Sequence, residues 1–255
     1  MKSMVDIQVV DDFLTATECA DLISMAETKL APSLTYDEQD LCKENRVRRT
    51  SETAWLNGPD VAWLSARVAK HSSTPACIQQ QVQVVRYKTG GFFTPHYDHC
   101  VSSDRIHTYL MYLNDDFEGG ETHFPVIDKT ILPKKGKLAK FTNIDNKGSV
   151  IKCSYHGGNK VVSGVKWICT VWILTGIPVN SPLRKVIFDS DMVVVAMKNG
   201  CVECNKILRR LATEGVPHVV FPEPATSKGS WPMVFVRGGR VDTDLYDFSG
   251  LSRFC

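Results

Sequence analysis

Two side chains two positions apart, His96 and Asp98, are the first pair in this sequence that could do chemistry together. The preceding Phe92-Phe93-Thr94-Pro95 reads as extended, and on a strand positions i and i+2 point to the same side. His96 and Asp98 can then address one metal ion, while Tyr97 faces away. A second histidine has to come from elsewhere, and His156 is the candidate. His99, His107 and His123 read as surface or core-edge residues. Two imidazoles and one carboxylate on one face of Fe(II) leave three coordination positions open, enough for a 2-oxo acid and dioxygen.

The cosubstrate that suits such a site, 2-oxoglutarate, carries a second carboxylate at its far end, which needs a cation or hydroxyl donors. Lys166 stands ten positions after His156. The intervening Gly157-Gly158-Asn159 and Ser163-Gly164 read as turns that could fold the segment back toward the metal. Lys166, Ile168, Thr170 and Trp172 then share one face of a strand. A lysine on a largely apolar inward face is costly unless an anion meets it. Singly, each of these residues also has a plain structural reading, so their flanks must decide.

The elements that would position them divide into helices first and strands after. Thr15 with Glu18 three residues on has the spacing of a capping box, followed by an apolar face of Cys19, Leu22, Ile23 and Ala26. A second helix is expected over Asp60–Lys70, with Val61, Leu64 and Val68 on its face. From Gln79 the texture changes. Gln81–Val85, Tyr109–Leu113 and Lys166–Leu174 are rich in β-branched and aromatic residues, as strands are. Helices followed by many strands predict an α+β unit built on an antiparallel sandwich or barrel. Thr175–Pro182 combines Gly, Pro and Asn and reads as a linker to a small second unit of β-α-β-β pattern, with Gly215 as a helix C-cap.

Bulk properties exclude several classes. A net charge of +2 points to neither nucleic acid nor an acidic membrane surface. Arg46–Arg49 is a short basic run, read as solvated or ion-paired surface. The acidic residues in Asp6–Asp12 interrupt any secretory h-region, and no apolar stretch approaches the ~20 residues of a membrane span. Nine cysteines without a signal peptide fit a reducing compartment. The expected location is therefore cytoplasmic, with viral or host cytosol both compatible, and neither nucleic acid nor membrane is expected as a partner.

The flanks resemble the prolyl 4-hydroxylase family of 2-oxoglutarate oxygenases. The likeness begins at Val9-Val10-Asp11-Asp12-Phe13-Leu14 and Arg49-Thr50-Ser51, and strengthens at Gln83–Tyr87, Gly90-Gly91 and Pro95–Asp98. It continues through Tyr112-Leu113-Asn114, Gly119–Pro125 and Pro133–Gly136, and closes on His156, Gly164, Lys166 and Trp172. It thus spans roughly residues 9 to 174 in order. Phe93, where the family often has tyrosine, and Lys140, in a stretch usually apolar, depart from the pattern.

The resemblance implies a double-stranded β-helix (jelly-roll) core with N-terminal helices. It also implies iron held by His96, Asp98 and His156, and 2-oxoglutarate held by Lys166 with Tyr87 and Tyr112. The implied reaction consumes dioxygen, decarboxylates 2-oxoglutarate to succinate and hydroxylates proline in a peptide or protein, with ascorbate in support. The alternatives are a 2-oxoglutarate hydroxylase of another residue and a non-catalytic binding protein on the same fold.

In the second unit Cys201-Val202-Glu203-Cys204 lies between an apolar strand and a helix. A thiol at a helix N-terminus has a lowered pKa, so Cys201 would attack and Cys204 resolve. Half a zinc site and two unreactive thiols are the competing readings. The context resembles glutaredoxins: Val193-Val194-Val195, Lys198, Gly200, the cysteine pair and Trp231-Pro232. That likeness implies a small thioredoxin-like α/β domain with glutathione as ligand. Val202-Glu203 between the cysteines and Asp242-Thr243 depart from it. The expected organisation is thus an oxygenase domain over 1–176 and a glutaredoxin-like domain over 183–255.

Overall fold

The structure, a computed structural model, describes residues 6–36, 42–74, 76, 79–99, 105–145, 148–174, 193–197, 201–213, 216, 218–222, 232–236 and 239–241. By its contacts the chain divides into two compact units, residues 1–65, 79–144 and 150–173, and residues 66–78, 145–149 and 174–255. The predicted linker 175–182 lies outside the described residues, as do Cys100, Lys198, Gly200, Gly215, Trp231 and Asp242-Thr243.

The elements run β1 (Ile7–Val10), α1 (Ala16–Glu27), β2 (Ala31–Pro32), β3 (Leu34–Tyr36), β4 (Cys42–Glu44), β5 (Glu52–Leu56), α2 (Ala62–Ser72), β6 (Val82–Lys88), β7 (Phe93–His96) and β8 (Arg105–Tyr112). Then follow β9 (Glu118–Gly119), β10 (Thr122–Phe124), β11 (Lys129–Ile131), β12 (Leu138–Thr142), β13 (His156–Gly158), β14 (Val161–Ser163) and β15 (Val165–Leu174). The second unit adds β16 (Val193–Met197), α3 (Val202–Thr213), β17 (His218–Pro222), β18 (Met233–Val236) and β19 (Gly239–Val241).

Helix α1 starts where its cap dictates. The Thr15 hydroxyl accepts from the Glu18 N–H and the Glu18 carboxylate accepts from the Thr15 N–H, a reciprocal arrangement worth about 1 kcal/mol. Its buried Cys19, Leu22 and Ala26 pack toward β5 and β6. The second helix departs from its predicted start. Gly58 and Pro59 open a 3-10 turn over Pro59–Val61, and the α-helix proper begins at Ala62.

Two sheets build the core of the first unit. One has the order β1-β12-β8-β15-β6-β5-β2, the other β11-β10-β13-β7. Val85, Tyr112, Phe141 and Ile168 of the first pack against Phe124 and Ile131 of the second, the facing sheets of a jelly roll. The central strands β6 and β15 are buried on both faces. Their sequences therefore read as nearly unbroken apolar runs with little alternation. Lys140, unusual in its stretch, keeps its ammonium partly exposed on β12 and pairs with Asp6 at 3.5 Å.

In the second unit β16 pairs parallel with β17 and antiparallel with β18, giving the order β17-β16-β18-β19. Helix α3 starts right after Cys201. Among the described residues no helix is long and apolar enough to cross a membrane.

Candidate active site

The two histidines meet by strand pairing. β7 and β13 run antiparallel with His96 directly opposite His156, and their rings lie 4.5 Å apart. This corrects the reading of Gly157-Gly158 as a turn: both belong to β13. A Cβ on Gly157 would stand 2.9 Å from the Pro95 nitrogen and 3.0 Å from the Phe93 carbonyl oxygen. Only glycine allows so close an approach of the two strands.

A second correction concerns Asp98. Strand β7 ends at His96 and Asp98 stands in a bend beyond it, so strand alternation is not what aligns the pair. Tyr97 accordingly does not turn away. It lines the same cavity and packs its ring 4.8 Å from that of Tyr155. Asp98 nonetheless reaches both histidines, with Oδ1 3.5 Å from His96 Nε2 and Oδ2 3.8 Å from His156 Nε2. One ligand atom from each residue falls within 4.8 Å of the others.

Each of the three is oriented from behind. His96 Nδ1 lies 2.9 Å from the Thr94 carbonyl and His156 Nδ1 2.9 Å from the Ser154 carbonyl. A carbonyl only accepts, so Nδ1 carries the hydrogen and Nε2 is the nitrogen turned toward Asp98. The Thr108 hydroxyl donates to Asp98 Oδ2 at 2.6 Å, and the Asn143 amide donates to Thr108 at 2.9 Å. Burial raises the Asp98 carboxyl, but the rings of His156 and His96 outweigh it and hold the group below the usual carboxylate range. Burial pushes His156 down to about 4, against the pull of Asp98. Near neutral pH the donor set is thus one carboxylate and a neutral imidazole at His156, the protonation a divalent metal requires. The Phe93 ring stacks on His96 at 3.6 Å, and Phe141 stands edge-on to His156 at 4.6 Å.

These residues open into a cavity of about 600 Å³. Lys166 lines it from β15, 2% exposed, with one hydrogen bond from Nζ to the Gly120 carbonyl at 2.6 Å. Burial pushes its ammonium down to about 7, and Glu121 opposes the shift. Ile168, Thr170 and Trp172 line the cavity on the same face, as alternation predicts. Tyr87 lies opposite Lys166 in the β6–β15 ladder, its ring 5.1 Å from Nζ. Tyr112 sits differently. It is fully buried outside the cavity wall, and its hydroxyl donates to Thr122 at 2.7 Å.

Thr122, Thr108 and Asn143 escaped the sequence reading. A threonine in a strand, or an asparagine just beyond one, carries no spacing signal of its own. Arg49 was misplaced there too. The run Arg46–Arg49 is not wholly surface, since an isolated bridge between Arg49 and Phe93 turns Arg49 inward. It is 8% exposed, donates from Nε to Ser51 at 2.7 Å and holds its guanidinium 4.7 Å over the Phe93 ring. Of the other histidines, His107 is half-buried beside Thr142 and His123 beside Thr130, while His99 lines the cavity.

Residues 82–174 match the 2OG-Fe(II) oxygenase superfamily. Prolyl 4-hydroxylase 1 of Arabidopsis thaliana is 32% identical over 192 residues, covering 66% of this chain and 68% of that one. The chain belongs to the prolyl 4-hydroxylase family of 2OG-Fe(II) oxygenases. Among solved structures, the viral collagen prolyl hydroxylase vCPH from Paramecium Bursaria Chlorella virus-1, in its 2OG complex, is similar at TM-score 0.52 and 29% identity. That match covers 66% of this chain and 94% of that one. A prolyl hydroxylase from Trichoplax adhaerens, solved with a hypoxia inducible factor peptide fragment, shares the fold at TM-score 0.53 and 16% identity, over 66% of this chain and 83% of that one. The enzyme is thus an Fe(II)- and 2-oxoglutarate-dependent dioxygenase, and the His-Asp-His donor set fits its iron. The residues that match the superfamily end before β16.

Proposed function

We propose that this enzyme is a peptidyl-prolyl 4-hydroxylase, coupling decarboxylation of 2-oxoglutarate to hydroxylation of proline in a peptide or protein. The observation that carries the reading is one cavity holding His96, Asp98 and His156 together with the buried Lys166, in a chain 32% identical to a named prolyl 4-hydroxylase.

In this reading His96, Asp98 and His156 hold iron, which supplies dioxygen activation once 2-oxoglutarate is bound. Lys166 meets the far carboxylate of 2-oxoglutarate as a charge-assisted pair. Tyr87 and the Thr122 hydroxyl complete that pocket. Tyr112 acts through Thr122, fixing its hydroxyl rather than touching the cosubstrate. Leu110, Val85 and Ile168 give the pocket apolar walls that keep water from the buried pair. Ascorbate is expected to sustain turnover. The substrate peptide approaches past Tyr97 and Tyr155.

The test is succinate formation with Fe(II), 2-oxoglutarate and proline-rich peptides, with mass spectrometry of each peptide. Succinate and one added oxygen on proline, both lost in His96→Ala, are expected. Succinate with oxidation only at another residue would replace proline as the target.

A second reading concerns the second unit, because Cys201 and Cys204 are joined in a disulfide at the start of α3. Cys204 is fully buried and its N–H donates to Cys201 Sγ, while Cys201 stays partly accessible. With the parallel β16–β17 pair, this supports a thioredoxin-like, glutaredoxin-like dithiol module in which Cys201 attacks, Cys204 resolves and glutathione is the thiol partner. Reduction of a mixed disulfide by the full chain, lost in Cys201→Ser, is the expected result. Equal rates in wild type and variant would remove the redox role.

A further inference from the structure

Lys166 has a property that binding a carboxylate does not use. It is 2% exposed, and its Nζ donates one hydrogen bond, to the neutral Gly120 carbonyl at 2.6 Å. The Tyr87 and Tyr112 rings stand 5.1 and 5.8 Å from Nζ. Glu121 acts on the lysine through its charge but turns its Oε2 to the Asn159 amide at 3.2 Å. A lysine enclosed in this way without an ion pair gives up its charge readily. Burial pushes the ammonium down to about 7, so near neutral pH about half of it is the free amine. A desolvated neutral amine is a nucleophile.

The cavity also supplies an electrophile and room for the product. Each decarboxylation of 2-oxoglutarate releases carbon dioxide in the cavity that Lys166 lines. Gly158 borders the amine, where even a Cβ would stand 3.7 Å from Nζ. Val85, Leu110 and Ile168 give apolar wall. Thr122 lines the same cavity, and its oxygen accepts from the Tyr112 hydroxyl at 2.7 Å, which leaves its own hydrogen to donate to an anion.

We propose that carbon dioxide carbamylates Lys166, and that this modification shuts the cosubstrate pocket as a form of product feedback. The Nζ lone pair attacks the carbon and an N–C bond forms. One C=O electron pair moves onto oxygen, and the nitrogen gives a proton to solvent, with nothing oxidised or reduced. A group that attracts the far carboxylate of 2-oxoglutarate is thereby replaced by one that repels it. The feedback rests on the reading of Lys166 as the residue that meets that carboxylate, and is independent of which residue the enzyme hydroxylates.

The experiment is carbon-13 NMR of the full chain in labelled bicarbonate, which supplies dissolved carbon dioxide. Zn(II), a diamagnetic ion that accepts the same donor types, replaces iron. Wild type is expected to show a carbamate resonance that saturating 2-oxoglutarate removes and that Lys166→Arg lacks. Trapping with trimethyloxonium and peptide mass mapping should place the carbamate on Lys166 in wild type, so the result does not hang on how the variant folds. Where half of the lysine is carbamylated, the Kd for 2-oxoglutarate should rise about twofold over chloride of equal ionic strength. No carbamate, or carbamate on other amines alone, would overturn the proposal and leave 2-oxoglutarate binding, read on the same sample, as it was. Carbamate on Lys166 that saturating 2-oxoglutarate does not displace would overturn the feedback and the cosubstrate role of Lys166 together.

Discussion

The two ends of the cavity are built on opposite terms. At the metal end each orienting bond is made within the protein: Thr94 and Ser154 carbonyls fix the two imidazoles, and Asn143 holds Thr108, which holds Asp98. At the outer end the Trp172 indole N–H and the Thr35 hydroxyl are buried with no partner among the described residues. The first end is preorganised for the metal, and the Asn143 side-chain oxygen there is likewise buried with no partner among the described residues. Lys166 stands between these conditions, since one carbonyl hydrogen bond leaves a buried cation without an anion. Rigidity is placed where the metal geometry must not vary.

The largest effect expected of this contrast is at the metal end. Asp98→Asn removes the only carboxylate of the donor set, and turnover should fall by about three orders of magnitude or more. Succinate formation and metal content measured on the same sample would check it, and retained iron with retained turnover would disprove the assignment of Asp98. Next comes Lys166→Met, which keeps the length and loses the charge. The KM for 2-oxoglutarate should rise about ten- to a hundredfold, while iron content stays unchanged. A smaller effect is expected of Thr108→Val, which acts on the metal through Asp98 and strands the Asn143 amide. Iron affinity should drop about tenfold, with 2-oxoglutarate binding to the metal-loaded protein little altered. An equal loss in both affinities would mean that the two ends are not separable.

How much of this was legible in the sequence follows the range of each signal. The Thr15 cap, the strand of Lys166 and its cavity-facing alternation are local patterns, and all three appear as expected. The likeness to the prolyl 4-hydroxylases ran in order over roughly residues 9 to 174. Pairings between distant strands left no such trace. His156 meets His96 only because β13 and β7 are neighbours, and Arg49 turns inward through a single bridge to Phe93. Asp98 was paired with His96 by an argument from strand geometry that the bend after His96 invalidates. The residues that orient others, Thr108, Asn143 and Thr122, are ordinary polar types in strands or loops, visible only once their partners are in place.

The smallest of the expected effects is a pH dependence of cosubstrate binding, and it separates Lys166 from the preorganised end. Burial pushes the Lys166 ammonium down to about 7, whereas an unfolded lysine titrates near ~10.4. Between these values the folded chain without ligand binds fewer protons than the unfolded chain, so this group's contribution makes stability rise with pH across that window. A dicarboxylate favours the charged lysine, so binding above pH ~7 must draw a proton from solvent. From pH 7 to pH 8 the protonated fraction falls from about one half to about one tenth, so the Kd for 2-oxoglutarate should rise about fivefold. Calorimetry in two buffers of different ionisation enthalpy would show the proton uptake directly. In Lys166→Arg the guanidinium stays charged throughout, so the dependence should vanish whatever the affinity becomes. A Kd flat from pH 6 to 9 in wild type would mean that Lys166 is already charged before the cosubstrate arrives.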